Sequence, residues 1–232
     1  LGAPGLATGA TDFFSPRIDS NSGKLIAVGT SRNSSTVLPE ATAVRYMLDG
    51  SLDPAYGASG GYSIFQHDGN GICGDANATK IDDTAGYQSV DSAGNSYVAF
   101  QSSDTGGGGS NQTFTVAKIT PAGLFDTTFG PYGDGTAEIP NKGLDGIAGS
   151  PFANKGDRLP NFGGRTALDS SGRIYLSGES ETATGTFEGV IVRWTTAGIL
   201  DGSFGTGGVL HFNAGNDPIS GIGTTLDKEE YF

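Results

Sequence analysis

Long apolar runs are missing from this 232-residue chain, and none approaches the roughly 20 residues needed to cross a bilayer as a helix. The first residues, Leu1-Gly2-Ala3-Pro4, lack the charged and apolar regions of a secretory signal. With a single cysteine, Cys73, no internal disulfide can form, so the redox state of the compartment is left open. Basic residues are scarce: 13 Lys and Arg stand against 25 Asp and Glu, and the net charge of −12 would repel a phosphate backbone or an anionic leaflet. Nucleic acid and membrane insertion are therefore not expected. Only two histidines are present, His67 and His211, with no HExxH or His-x-His pattern and no cysteine pair, so zinc or copper has little support. No Gly-x-Ser-x-Gly elbow occurs, and the run Gly106 to Gly109 is followed by no Lys-Ser/Thr, which excludes a P-loop.

What is abundant is glycine, 40 residues of it, together with Ser, Thr, Asn and Asp. That mixture suits short strands joined by many turns and suits long helices badly. Hydrophobic residues reach only 35%, but 13 Phe and 8 Tyr can supply large buried areas at a few positions in each layer. The low-Lys, Gly/Ser/Thr/Asn-rich composition points to an exported bacterial protein: extracellular, cell-surface or periplasmic.

Two blocks recur along the chain. The first is a turn followed by a strand: Asp19 to Gly23 then Lys24 to Gly29, Asp91 to Gly94 then Asn95 to Phe100, and Asp169 to Gly172 then Arg173 to Gly178. A fourth copy begins at Asp227. The second block starts at Gly50, Gly123 and Gly198. An aspartate follows three residues on (Asp53, Asp126, Asp201), an aromatic six on (Tyr56, Phe129, Phe204), and glycines seven and ten on. Five residues before each first glycine stands a cation, Arg45, Lys118 or Arg193. Chance does not place six matched positions in three copies. The spacing, 73 residues from Asp53 to Asp126 and 75 from Asp126 to Asp201, is that of a supersecondary unit.

Each period holds four strand-like runs; in the middle copy they are Tyr87 to Val90, Ser96 to Phe100, Phe114 to Ile119 and Thr136 to Ile139. Labelled A to D, they are joined by the first block between A and B and by the second between C and D. The expected fold is all-β, a β-propeller-like array of four-stranded antiparallel blades, three blades and the start of a fourth. The repeats fall near 17–87, 88–164, 165–223 and 224–232 of one domain, and a partial propeller predicts that further chain or another subunit completes it.

The second block, with its preceding Ala-Val-Arg, Val-Ala-Lys or Ile-Val-Arg strand, resembles the bacterial delta-60 repeat family, and the resemblance extends over nearly the whole chain. It implies a propeller-like fold in an exported or surface protein and brings no agreed activity. The chain departs from that family in the long insertions between blocks, where a specific function would sit.

The repeated aspartates are best read as turn residues accepting backbone N–H bonds, the alternative being a repeated metal or acid site. The aromatics are expected to be buried between blades. The cation is expected to pair with the aspartate, and an exposed pair would contribute only about 0–1 kcal/mol. Strand alternation puts the A–B and C–D turns on one edge of each blade. The B–C connections (near 31–41, 101–113 and 179–189) and D–A connections (near 66–86, 140–164 and 213–223) share the other. Divergent loops on a rigid scaffold suit ligand binding. One of them, with Asp68, Asn70, Asp75, Asp82 and Asp83, gathers oxygen ligands and glycines as calcium loops do, although Ile72, Cys73 and Thr79 break the EF-hand pattern; the alternative is a solvated acidic loop.

Three functions follow. The leading one is a non-catalytic binding or adhesion module recognising a glycan or protein partner through the long-loop edge. The second is a structural subunit of a surface layer, filament or larger complex. The third, a propeller lyase or glycoside hydrolase, would draw its acids from Asp82, Asp83, Asp145, Asp157 and Asp217.

Overall fold

The computed structural model describes residues 12–19, 21–32, 39–58, 60–65, 81–104, 111–130, 136–139, 166–181 and 187–212. Within them lie twelve strands and no helix. They are β1 (Asp12–Ile18), β2 (Leu25–Arg32), β3 (Pro39–Tyr46), β4 (Tyr62–Phe65), β5 (Ile81–Val90), β6 (Ser96–Asp104), β7 (Asn111–Ile119), β8 (Thr136–Ile139), β9 (Thr166–Leu168), β10 (Ile174–Glu181), β11 (Phe187–Trp194) and β12 (Val209–Phe212). Consecutive strands pair antiparallel into three four-stranded sheets, β1 to β4, β5 to β8 and β9 to β12. Each sheet is one copy of the repeat.

The ladders are longer than the apolar pattern suggests. β5 begins at Ile81, where Tyr87 was expected to open the strand, and Ile81 to Ala85 pair with Asp104 to Phe100. The B and C strands likewise run on to Arg32, Asp104 and Glu181 and resume at Pro39, Asn111 and Phe187. The B–C connections are thus confined to 33–38, 105–110 and 182–186, tighter than expected. Ser, Thr and Asp runs read as loop by composition, but a ladder pairs backbone groups and tolerates polar side chains at its end.

Two core clusters join the sheets face to face. Val28, Ala43 and Tyr56 of the first sheet meet Val98, Ala117 and Ile119 of the second. Tyr97, Ala99, Val116 and Phe129 of the second meet Ile174, Leu176, Val190, Val192 and Trp194 of the third. The middle sheet therefore presents one face to the copy before it and the other to the copy after it. Strand alternation explains the division: 97 and 99 lie on one face, 96 and 98 on the other.

The A strands tie the sheets further. β1 and β5 each carry a register shift, between Phe14 and Arg17 and between Ala85 and Gln88. At the first of these Ser15 takes φ 49°, and the buried Gln88 amide donates to the carbonyls of Ser15 and Ile26. Thr166 holds the same position in the third copy and donates from Oγ1 to the Tyr97 carbonyl.

Candidate functional site

The turn edge repeats one hydrogen-bond scheme three times. In the first block, Asp19, Asp91 and Asp169 accept backbone N–H bonds two residues on, at 2.9 Å each, from Asn21, Ala93 and Ser171. In the second block, Asp53, Asp126 and Asp201 accept from the amides of Ala55, Thr128 and Ser203, at 3.1 Å each. These are the turn roles their spacing suggested.

Each second-block aspartate also meets its aligned cation through Oδ2: Arg45 Nε at 2.7 Å, Lys118 Nζ at 2.8 Å and Arg193 Nε at 2.9 Å. The cation then lies by the block's aromatic ring, Arg45 4.6 Å from the Tyr56 centroid, Lys118 6.0 Å from Phe129 and Arg193 4.6 Å from Phe204. Carboxylate, cation and ring form one unit per sheet. The expected pair forms in all three copies, and in the first it is buried, Asp53 being 2% and Arg45 6% exposed. The next sheet covers them, and a charge removed from water must be paired.

Lys24, which the motif alone does not mark, joins Asp53 Oδ2 at 2.8 Å. Burial by itself would raise the Asp53 pKa, but Lys24, the Ala55 amide and Arg45 overcome it and hold the carboxyl at about 2. At Asp126 the Lys118 and Thr128 hydrogen bonds lead, and the value is again about 2. Tyr97 and Tyr175 were also missed. Each sits six residues after its first-block aspartate and points its hydroxyl at that residue, 3.3 Å from Asp91 Oδ2 and 3.2 Å from Asp169 Oδ2. The shared offset is the signal that could have found them.

The aromatic expectation holds for two copies of three. Tyr56 is 0% and Phe129 1% exposed, whereas Phe204 is only half-buried. The first two have a following blade to pack on; among the described residues Phe204 has none. At both interior junctions the glycine after the aromatic donates its N–H to the next copy: Gly57 to the Ala122 carbonyl at 2.8 Å and Gly130 to the Ala197 carbonyl at 2.9 Å. Gly123 and Gly198 are obligatory there. A Cβ on them would lie 2.4 Å from Gly57 N and 2.6 Å from Gly130 N, and both have positive φ.

The first-block turns of the first two sheets also touch, Asn21 Nδ2 lying 3.5 Å from the Ala93 carbonyl. The turn edges of neighbouring sheets thus lie on the same side. The B–C and D–A connections leave from the opposite side, as strand alternation requires. Of the calcium candidates, Asp68, Asn70 and Asp75 lie outside the described residues. Asp82 and Asp83 lie in β5, paired with Ser103 and Ser102, inside a ladder rather than in the connection near 66–86. His67, Cys73, Asp145, Asp157 and Asp217 are outside the described residues, as are the D–A segments 140–164 and 213–223; His211 lies in β12 opposite Val190. Among the described residues no three His, Cys, Asp or Glu side chains gather as a metal site. The chain matches no family model and no curated protein, so the delta-60 resemblance rests on the residues of the second block and its preceding strand alone.

Proposed function

We propose that the chain is a non-catalytic binding or adhesion module of an exported bacterial protein, its blades an arc of a propeller related to delta-60 repeats. It would recognise a glycan or protein partner through the edge that carries the B–C and D–A connections. One observation carries this reading: the polar residues that recur in every copy are engaged in holding turns and junctions. Asp53, Asp126 and Asp201 take a backbone N–H on one oxygen and a cation on the other. Residues fully committed to structure are poor candidates for a ligand, whereas the divergent connections share the other edge.

Replacing 33–38, 105–110 and 182–186 by Gly/Ser segments of equal length tests this on a glycan array and on intact cell surfaces. Binding should fall with each replacement while the melting temperature holds. Binding that survives all three replacements together would overturn the assignment to B–C connections. The second reading, a structural subunit of a layer or filament, is favoured by the half-buried Phe204 and the face around it, which no described residue covers.

A further inference from the structure

The third sheet ends in a surface built like the two interior junctions, and no described residue fills it. Ser177 and Ile191 occupy the positions of Ala99 and Val116, which are fully buried against the next copy; here Ser177 is exposed and Ile191 half-buried. Phe204 stands where Tyr56 and Phe129 are buried. Its neighbour Gly205 is placed like Gly57 and Gly130, yet its N–H has no acceptor among the described residues. Arg193 stands where Arg45 donates through Nη1 to the Pro121 carbonyl of the next blade.

At the opposite end of the stack the first blade offers the matching half. A shallow depression of about 370 Å³ is lined by Ile18, Leu25, Tyr46, Met47, Leu48 and Gly50. Leu48 is 86% and Ile18 61% exposed, high for large apolar side chains. Gly50 has φ +83°, like Gly123 and Gly198, and a Cβ there would meet nothing within 4 Å, because no aromatic-glycine pair is seated on it.

We propose that these two ends bind each other between molecules: the Phe204 face of one copy docks on the Gly50 turn of a second, repeating the interior junction head to tail. Gly205 N–H then donates to the Asp49 carbonyl, Arg193 to the Leu48 carbonyl, and the Phe204 ring fills the depression beside Tyr46. The junction is weaker than the interior ones for two reasons. Val44 and Tyr62, further along the first blade, are already buried, so only the turn half of that face is open. Pro16 also stands three residues before Asp19, where Gln88 and Thr166 stand before Asp91 and Asp169, and it has no side-chain donor. Such a contact is heterologous and makes dimers, then rings or filaments. It does not depend on the loop edge binding anything, and the Gly/Ser loop replacements should leave it intact.

Sedimentation velocity of the full chain from about 1 µM to about 500 µM tests this. The sedimentation coefficient should rise reversibly with concentration. Gly50→Asn, which keeps a residue tolerant of positive φ but adds a Cβ, should weaken association by about tenfold or more, as should Phe204→Ala. Ser177→Arg is a further variant on an exposed site, should Phe204→Ala melt early. Mixing Gly50→Asn with Phe204→Ala leaves one intact end on each molecule, so the mixture should form heterodimers and nothing larger. A wild-type chain that stays monomeric throughout, single variants that associate as the wild type does, or a mixture that fails to pair would each overturn the proposal.

Discussion

Replacing Gly123 by Ala should be among the most damaging single-methyl changes in the chain, and replacing Gly50 by Ala should not. Both glycines open the second block, with φ +76° and +83°. An alanine held at such an angle costs about 1–2 kcal/mol at either position. Only at 123 does the new Cβ meet neighbours: Gly57 N at 2.4 Å and both Cδ atoms of Tyr56 at 2.9 Å. Relieving that overlap must stretch the 2.8 Å hydrogen bond from Gly57 to Ala122, about 1 kcal/mol, and shift a fully buried ring, about 1–3 kcal/mol. Gly123→Ala should therefore cost about 3–6 kcal/mol, a large part of a typical domain's stability. Urea denaturation of dilute wild type, Gly50→Ala and Gly123→Ala measures the difference, and Gly198→Ala should behave like Gly123→Ala. Equal losses at positions 50 and 123, within about 0.5 kcal/mol, would show that backbone strain alone is at work and refute the close approach between blades.

Acid should destabilise the fold in a defined window. Asp53 and Asp126 titrate at about 2 when folded, below the ordinary carboxyl value, so their stabilisation is complete above about pH 4 and is lost as the pH falls toward 2. Melting temperatures between pH 6 and pH 2 should show that drop, and a flat profile would contradict the ion pairs. Asp53→Asn leaves Arg45 and Lys24 facing no carboxylate and should cost about 3 kcal/mol at neutral pH while flattening part of the acid drop. Calcium at Asp68, Asn70 and Asp75 predicts that a chelator lowers the melting temperature and that Asp75→Ala removes the effect; an unchanged melt leaves a solvated acidic loop.

The elements most legible in the sequence are those that local chemistry dictates. The Gly50, Gly123 and Gly198 blocks, the turn role of their aspartates, the cation pairing and strand β8 follow from residue type and spacing, because turns and short-range ion pairs are decided within a dozen residues. The start of β5 was not legible. Asp82, Asp83 and Thr84 carry no apolar alternation, and their pairing with Ser103, Ser102 and Gln101 is set by the register of the whole ladder. Burial was legible only where a neighbour exists. Tyr56 and Phe204 sit in the same motif, and what separates them is the sheet that packs on Tyr56, which has no counterpart on Phe204 among the described residues. The loop edge, where a ligand would bind, is written in residues that differ in every copy and so offers no internal comparison.

The junction glycines bear on how such a chain can be inherited. At both described seams the aromatic-glycine face of one copy meets the short glycine turn of the next, and each copy carries both of these elements. A duplication or deletion cut in the D–A connection therefore adds or removes a copy that brings both of these elements with it. Gene rearrangement can thus vary blade number and loop content independently, on a chemistry of contact that stays fixed.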